Sequence, residues 1–296
     1  MSVRVEVIEV RTADDQTLFA DVRAPEREFR GVAVLAHAMF ARRGEFDKPS
    51  GAGLADLLAR AGYVTVAFDF RGHGDSGPSA KEGADWSYDD LVRSDLPTVA
   101  SCARARYPGI PLFVLGHSLG GHVALASQGL GALEADALVL VAANVWMRQR
   151  ERSMRAWMKK RAIAEALGVL SVRRGYFPAR ALRLGSDDEA TRYMNALTRT
   201  ARQGRWTSDD GKDDYGALTE RVRVPVATVT SEGDRLMCSL DCGERMVAKT
   251  CGPRLCLRVS RGDDGSPPPG HMELVTSGRV RDVYRRVLAW LEEEAS

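Results

Sequence analysis

Residues 112–121, LFVLGHSLGG, decide the fold of this chain. The stretch begins with consecutive apolar residues, which are typical of a strand buried on both faces, and residues 119–129 have helical character. Ser118 stands between the two elements, at the centre of a Gly-X-Ser-X-Gly pattern. Glycines on both sides let the backbone turn sharply, so that the serine hydroxyl projects above the sheet. The stretch predicts a strand, a tight turn and a helix that present Ser118 as a nucleophile.

Strand and helix patterns alternate through most of the chain. Residues 3–10 alternate between charged and aliphatic side chains and, with residues 17–23, predict an antiparallel pair of strands. Further strands are predicted at 31–37, 63–70, 112–116, 137–142, 224–230 and 255–259, and helices at 51–61, 88–106, 119–129 and 278–294. Strands that alternate with helices at this spacing predict a parallel sheet with right-handed crossovers. The predicted fold class is therefore α/β.

The alternation stops between residues 144 and 221. This stretch has helical periodicity and many arginines, but no run typical of a buried strand. It is either a helical insertion above the sheet or a series of ordinary crossovers, and the missing strand pattern favours the insertion. We predict a core domain formed by residues 1–143 and 222–296 and a helical cap formed by residues 144–221.

The composition is that of an ordinary soluble globular protein. Of the 296 residues, 44% are hydrophobic and 28% are charged. The net charge of +2 gives no reason to expect a nucleic-acid partner. The first ten residues contain no apolar signal region, and no later stretch approaches the roughly 20 apolar residues that span a bilayer. We expect a soluble, cytoplasmic protein without a transmembrane segment.

The cysteine pattern argues against a metal site. There are five cysteines, Cys102, Cys238, Cys242, Cys251 and Cys256. The last four are separated by three, eight and four residues, which matches no common zinc pattern. Disulfides are rare in the cytoplasm. We expect these four cysteines to act as small buried side chains around one helix and the following strand.

The general base can be predicted by elimination. A serine hydroxyl needs a base to remove its proton, and the chain offers five histidines: His37, His73, His117, His122 and His271. With this kind of serine turn, the order along the chain is serine, acid, histidine. His122 follows Ser118 too closely to leave room for an acid between them. His271, in a loop before the last helix, is the predicted base.

The acid is expected just beyond the strand that precedes the histidine loop. Asp234 follows the predicted strand 224–230 directly, and loops after strand ends carry the functional groups of such sheets. An aspartate there can accept the Nδ1 proton of His271 and fix its tautomer. Asp241 and Glu232 are the alternatives.

A reaction at Ser118 also needs two backbone amides that bind an oxyanion. One is the residue after the nucleophile, Leu119, and the other comes from the loop after the strand 31–37. Met39 is the predicted donor in that loop. A simple strand-to-helix turn is the alternative interpretation of the same stretch.

Five stretches of this sequence resemble α/β-hydrolases: VLAHAMF (34–40), DFRGHGDSG (69–77), GHSLGG (116–121), SEGDRLM (231–237) and PGHMELVT (269–276). Within that superfamily they are similar to the esterase, lipase and serine-aminopeptidase-like group that includes monoglyceride lipases. The similarity covers residues 1 to about 143 and 222 to 296. It implies a mostly parallel eight-stranded sheet, a helical cap over the site, a triad of Ser118, Asp234 and His271, and no cofactor.

One residue departs from the family pattern. Relatives usually have His-Gly after the third strand, whereas this chain has Ala38 in the second position, where a methyl group restricts the backbone more than glycine does. Relatives with His-Ala-Met in this loop and the segment Gly-Tyr-Phe-Pro-Ala, here residues 175–179, are mostly uncharacterised predicted hydrolases. The resemblance therefore predicts a mechanism better than it predicts a substrate.

The predicted cap offers candidates for substrate contacts. Aromatic candidates for the pocket wall are Phe40, Trp146, Trp157, Tyr176 and Phe177, with Trp206 as a further one. Met147, Met154, Met158, Ala162 and Ile163 recur at helical spacing, so they either line an acyl pocket or pack the cap onto the core. Residues 148–161 hold seven basic and one acidic side chain. This basic run is either a solvated helix face, or it steers an anionic substrate or touches a membrane surface.

These residues predict a cofactor-independent serine hydrolase that cleaves a small-molecule carboxylic ester with an apolar acyl group. Acyl transfer, thioester hydrolysis and amide cleavage use the same machinery. A rival from another class is a catalytically silent scaffold that serves as a binding protein. Such a scaffold normally lacks a triad residue, and here all three are present.

Overall fold

One eight-stranded sheet forms the centre of the molecule. The computed structural model describes residues 3–26, 29–262 and 264–294. Its strands are β1 (Val3–Arg11), β2 (Thr17–Pro25), β3 (Gly31–Ala36), β4 (Tyr63–Phe68), β5 (Leu112–His117), β6 (Ala137–Val141), β7 (Tyr176–Phe177), β8 (Glu189–Ala190), β9 (Val226–Ser231) and β10 (Arg254–Val259). The strand order in the sheet is β1-β2-β4-β3-β5-β6-β9-β10, and β7 and β8 form a separate ribbon.

Helices connect most of these strands. They are α1 (Leu54–Arg60), α2 (Tyr88–Asp90), α3 (Leu96–Arg106), α4 (Leu119–Leu130), α5 (Met154–Arg174), α6 (Thr191–Gln203), α7 (Tyr215–Leu218), α8 (Leu240–Val247), α9 (Glu273–Thr276) and α10 (Arg281–Glu294). The turn Leu91–Asp95, in π-helical geometry, joins α2 to α3, so the helix predicted over 88–106 is continuous but irregular.

The sheet is mostly parallel, and the predicted α/β fold is confirmed. Only the pairs β1-β2 and β2-β4 run antiparallel; the other neighbouring pairs are parallel. Alternate residues of β3 pack on opposite faces of the sheet. Val32 and Val34 belong to the core on one face, and Ala33 and Leu35 belong to the core on the other. Because α3 and α4 cover the first face and α1 and α10 the second, the central strands are apolar throughout.

Residues 144–221, which we call the cap region, contain α5, α6, α7 and the β7-β8 ribbon. All eight strands of the sheet lie outside this region. The helices α5 and α6 pack closely where Gly168 faces Thr198, whose hydroxyl donates a hydrogen bond to the carbonyl of Ala164 at 3.0 Å. The division of the chain into a core and a cap domain stays a prediction.

The predicted apolar stripe in the cap region is not a packed face. Met147 is buried, but it lies before α5 rather than on it. On α5, Met154 and Met158 are 55% and 54% exposed, so the expectation that the stripe packs the cap onto the core was wrong for them, and the alternative that it lines an acyl pocket stays a prediction. Helical spacing places residues on one face, but it does not say which face is covered. Among the residues that the structure describes, no helix is both long and apolar enough to cross a membrane.

The cysteines divide into two kinds. Cys238 and Cys242 are buried, as expected, whereas Cys251 and Cys256 are exposed, so the prediction of a buried cluster was half wrong. Cys256 lies on β10, the edge strand, where alternate side chains face solvent. All five thiols are free, and the described residues contain no cluster of three or more His, Cys, Asp or Glu side chains arranged to hold a metal ion.

Substitution of Gly120 tests the close packing of α4 on the sheet. A Cβ atom there would lie 2.1 Å from the carbonyl oxygen of Ala36, so Gly120→Ala forces β3 and α4 apart. We expect this substitution to lower the free energy of unfolding by about 1–3 kcal/mol in urea titrations. The matched control is Gly278→Ala, whose Cβ would meet nothing closer than 3.6 Å and which should change stability by less than about 0.5 kcal/mol. Equal effects at the two positions would contradict this account of the packing.

Candidate active site

Ser118 lies at the sharp turn between β5 and α4. Its backbone has φ 49° and ψ −107°, a conformation that costs a non-glycine residue on the order of 1–3 kcal/mol. The turn is held by the Ser118 amide, which donates to the carbonyl of Val141 at 2.8 Å. Gly116 and Gly120 allow it, because a Cβ at either position would lie within 2.4 Å of backbone atoms. The side chain of Ser118 is therefore presented, half-buried, at the carboxyl end of the central strand.

Asp234 and His271 meet close to the carboxyl ends of the strands. The Nδ1 atom of His271 lies 2.5 Å from Oδ2 of Asp234. The Asp234 carboxylate, 4% exposed, also accepts the amides of Met237 and Cys238 at 2.9 and 3.0 Å. The carboxylate accepts from all three donors, so Nδ1 of His271 carries the proton and Nε2 is left as an acceptor. Burial lowers the pKa of His271, which keeps the imidazole neutral near neutral pH despite the opposing effect of Asp234.

The alternative acids do not contact His271. Glu232 is exposed and accepts the hydroxyl of Ser260 at 3.1 Å. Asp241 lies in α8, where its nearest cation is Arg152 at 3.9 Å. Of the three acids considered from the sequence, Asp234 alone hydrogen-bonds to the predicted base.

The remaining histidines have structural partners. His37 lies close to the carbonyl of Ala38 and accepts the amide of Phe70, and burial lowers its pKa to about 3. His122 lies one turn beyond Ser118 in α4, and its Nδ1 is 3.0 Å from the Tyr88 hydroxyl. Burial and the charge of Arg150 lower the pKa of His122 to about 3.

The two predicted oxyanion donors lie on loops that touch each other. The amide of Gly120, next to Leu119, donates to the carbonyl of His37 at 3.1 Å and so joins the α4 turn to the loop that carries Met39. Within the described part of the chain, the amides of Leu119 and Met39 themselves donate no hydrogen bond. Ala38 has an ordinary negative φ, so its methyl group does not strain the loop.

The predicted lining residues form two groups rather than one. Phe40, whose φ is 64°, stacks on Phe177 with ring centroids 5.1 Å apart, and Tyr176 is half-buried beside them. Trp146 and Trp157 belong to a separate small apolar cluster with Ala164 and Ala201. The structure therefore does not bring all five candidates to one pocket.

A small cavity beside α4 was missed by the sequence analysis, apart from Trp206. Its volume is about 40 Å³. The lining residues are Tyr88, His122, Asn144, Val145, Tyr193, Ala196, Leu197, Thr200, Trp206 and Thr207. His122 is four residues after Ser118, and residues four apart are neighbours on a helix surface. This spacing was the one feature of the sequence that could have placed His122 near Ser118.

The cap region holds the loop that carries Met39. The carbonyl of Phe40 accepts the amides of Ser186 and Asp187 at 2.7 and 3.1 Å. The guanidinium of Arg42 binds both carboxylate oxygens of Asp187, at 2.8 and 2.7 Å. A Cβ at Gly185 would lie 2.3 Å from the Phe40 carbonyl oxygen, so the two segments are in direct contact.

The cap region also holds the loop that carries Asp234. The carbonyl of Met237 accepts hydrogen bonds from the Asn144 amide, the Trp146 indole and the Lys160 ammonium, at 3.1, 3.3 and 3.3 Å. Lys160 is itself buried and pairs with Glu151 at 2.6 Å. Trp146 thus has an assigned partner in the acid loop.

A buried ion pair joins the cap region to the loop that follows β4. His73 Nε2 lies 3.4 Å from Glu189 Oε2, both side chains are fully buried, and Glu189 also accepts the Trp86 indole at 2.9 Å. Burial alone would lower the pKa of His73, but the Glu189 charge outweighs it and raises the pKa to about 9. His73 is therefore a buried cation near neutral pH.

Comparison with known proteins agrees with this architecture. The model of the family "Serine aminopeptidase, S33" matches residues 27–249. A monoacylglycerol lipase from Mycolicibacterium smegmatis is 35% identical over 120 residues, which is 40% of this chain and 40% of the relative. The alignment thus spans well under half of the relative's own length.

Solved structures of the same fold cover nearly the whole chain. An esterase from Pyrococcus furiosus superposes with a TM-score of 0.61 and 16% identity, covering 100% of this chain and 92% of the esterase. A monoacylglycerol lipase from Paleococcus ferrophilus gives a TM-score of 0.59 and 16% identity, covering 98% and 99% of the two chains. At these identities the likeness establishes the shared fold.

The His73–Glu189 pair predicts a pH dependence of stability. The pKa of His73 is about 9 in the folded protein and about 6.5 when unfolded. The stabilisation is therefore complete below about pH 6.5 and is lost as the pH rises through about 9. Between about pH 6 and pH 10, urea titrations should show that the wild type loses about 1–3 kcal/mol more stability than Glu189→Gln. The same pH dependence in both proteins would contradict a charged His73.

Proposed function

Because the chain belongs to the serine aminopeptidase S33 family of α/β-hydrolases, we propose that it is a serine hydrolase acting on a carboxylic ester. The observation that carries the proposal is the 2.5 Å hydrogen bond between His271 and Asp234, together with the strained turn that presents Ser118. A strained backbone at a serine beside a buried acid–histidine pair is the arrangement that activates a hydroxyl nucleophile.

In the proposed reaction, Ser118 Oγ attacks the ester carbonyl carbon while His271 Nε2 takes the hydroxyl proton. The negative charge that forms on the carbonyl oxygen is bound by the amides of Met39 and Leu119. The intermediate collapses, the bond to the leaving alcohol breaks, and His271 returns the proton to that alcohol. Water, deprotonated by His271, then attacks the acyl-enzyme and releases the carboxylic acid and free Ser118.

Asp234 supports this cycle without changing protonation. Its hydrogen bond to Nδ1 of His271 keeps Nε2 free to accept the serine proton, and its negative charge stabilises the imidazolium that forms. The two backbone amides on Asp234 hold the carboxylate in its orientation toward His271.

An ester is favoured as the substrate over a thioester or an amide because of what the similar proteins are named. The matched protein from Mycolicibacterium smegmatis is a monoacylglycerol lipase, and two structures of the same fold are an esterase and a monoacylglycerol lipase. Thioester hydrolysis, amide cleavage and acyl transfer would use the same residues, and they differ in the leaving group and in the molecule that accepts the acyl group. No metal or cofactor is part of the proposed mechanism.

Substitution of the triad tests the reaction. Ser118→Ala should abolish labelling by a fluorophosphonate probe and lower kcat for nitrophenyl esters by several orders of magnitude, because the nucleophile is gone. Asp234→Asn should lower kcat by about 10⁴-fold, because the amide favours the wrong tautomer of His271.

The two alternative acids are the matched controls. Glu232→Gln and Asp241→Asn remove carboxylates close in sequence that do not touch His271, and both should keep kcat within about twofold of wild type. A folded wild-type protein that fails to label would reject the proposed function. Labelling that survives Ser118→Ala would reject the assignment of the nucleophile.

The cavity beside α4 predicts a preference for short acyl chains. At about 40 Å³ it is little larger than the volume of one water molecule in the liquid, and it lies one helical turn beyond Ser118. We propose that the acyl group enters there, so kcat/KM should fall by about tenfold or more as the acyl chain of a nitrophenyl ester lengthens. Trp206→Ala should move the preference toward longer chains, whereas Trp157→Ala, which removes a tryptophan that does not line the cavity, should not. The same preference in wild type and Trp206→Ala would reject this acyl site.

A further inference from the structure

Glu45 is a buried carboxylate that the proposed mechanism does not use. It lies in the short turn Arg43–Asp47, and 3% of its surface is exposed. Its Oε1 atom accepts the amide of Ala38 at 3.1 Å and lies 3.0 Å from Nδ1 of His117. Burying a carboxylate is costly unless it is paired, so its retention at this position needs a reason.

His117 connects this carboxylate to the proposed base. It is fully buried, it is the residue immediately before Ser118, and its ring centroid is 5.0 Å from that of His271. Its Nε2 atom lies 3.2 Å from the main-chain carbonyl oxygen of His271. One imidazole therefore contacts both Glu45 and the main chain of the residue that accepts the serine proton.

The partners determine where the protons lie. Because Nε2 faces a carbonyl oxygen, which only accepts, Nε2 carries a proton. The other ring nitrogen, Nδ1, contacts Oε1 of Glu45, which also accepts the Ala38 amide. His117 thus donates from Nε2 to the main chain of His271 and contacts the Glu45 side chain through Nδ1.

We propose that Glu45 and His117 are positioning residues for the ester hydrolysis proposed above: His117 fixes the main chain of His271, and Glu45 fixes the loop that carries Met39. The proposal rests on that function, because it concerns the geometry of the same reaction. The two contacts join the loop of the nucleophile, the loop of the base and the oxyanion loop through one buried pair. A displacement of about 1 Å in such groups costs about 10²-fold in rate.

The charge of His117 also acts on His271. The charged and titratable groups that face His271 are Asp234, His117 and Glu45. Burial lowers the pKa of His271 most, Asp234 and Glu45 raise it, and His117 lowers it. Replacing His117 by a neutral side chain should therefore raise the pKa of His271 and move the acid limb of the kcat/KM profile to higher pH.

Two substitutions at position 117 separate its two contacts. The amide of an asparagine reaches the place of Nδ1, so His117→Asn keeps a partner for Glu45 and loses the contact with His271. The amide of a glutamine reaches the place of Nε2, so His117→Gln keeps a donor to the His271 carbonyl. We expect His117→Asn to lower kcat for a nitrophenyl ester by about 10- to 100-fold with KM within about threefold of wild type. His117→Gln should recover a substantial part of that loss, and both variants should move the acid limb upward by about half a pH unit or more.

Glu45→Gln tests the other half of the pair. One contact is lost in either orientation of the amide. An amide oxygen at the place of Oε1 and the His271 carbonyl both need an N–H of His117, of which a neutral imidazole has one, and an amide nitrogen there opposes the Ala38 amide. We expect kcat to fall by about 10-fold or more. The matched control is Glu189→Gln, which removes another buried carboxylate from a histidine, His73, and should leave the acid limb where it is in wild type.

Each outcome has one interpretation, provided that circular dichroism and thermal unfolding show folded proteins. A wild type without esterase activity or probe labelling rejects the proposed function itself. If the wild type is active, and His117→Asn and Glu45→Gln both keep kcat within about twofold and leave the acid limb of the kcat/KM profile where it is in wild type, only the positioning role is rejected. If the variants do not fold, ¹⁵N-histidine NMR of the wild-type protein decides: Nε2 of His117 should carry a proton as the donor to the His271 carbonyl, and a bare Nε2 would overturn the proposal.

Discussion

The approach of α4 to β3 is the constraint on which the rest of the structure depends. A side chain at Gly120 would lie 2.1 Å from the Ala36 carbonyl oxygen, and one at Gly116 would lie 2.3 Å from the first turn of α4. Because the helix starts this close to the sheet, the backbone of Ser118 must turn through positive φ. The same packing brings the α4 turn against the loop after β3, where the amide of Gly120 bonds to the His37 carbonyl. Strain at one serine therefore follows from close packing in the core.

Around that turn, loops from distant parts of the chain are held by groups that take no direct part in the proposed chemistry. The cap region binds the carbonyls of Phe40 and Met237, and the pair of Glu45 and His117 binds the Ala38 amide and the His271 carbonyl. Loops are otherwise the least stable parts of a fold. Main-chain anchors on both sides of the site restrict the atoms whose spacing the reaction needs.

Local patterns in the sequence predicted the fold, but they did not predict the contacts between residues that are distant along the chain. Apolar runs predicted the strands, because a strand that is buried on both faces needs apolar residues at consecutive positions. The glycine spacing predicted the turn at Ser118. Glu45 was missed because its partner, His117, lies 72 positions away and a glutamate in a polar loop is normally exposed. Met154 and Met158 were misplaced because periodicity does not show which face of α5 is covered. The contact between Asp234 and His271 followed from chain order, which limits where each loop emerges from the sheet.

The main-chain anchoring of the loops has a consequence for evolution. A carbonyl oxygen is the same in every amino acid, so the hydrogen bonds to Phe40 and Met237 survive replacement of either side chain. The two sets of donors differ. Ser186 and Asp187 bind the Phe40 carbonyl through their backbone amides, whereas Asn144, Trp146 and Lys160 bind the Met237 carbonyl through their side chains and are not interchangeable. Mutational freedom is therefore unequal across the Met237 contact, where position 237 can change while its three donors must be preserved. Substitutions at a position that is anchored through its main chain can change the surface near the site while the scaffold stays intact.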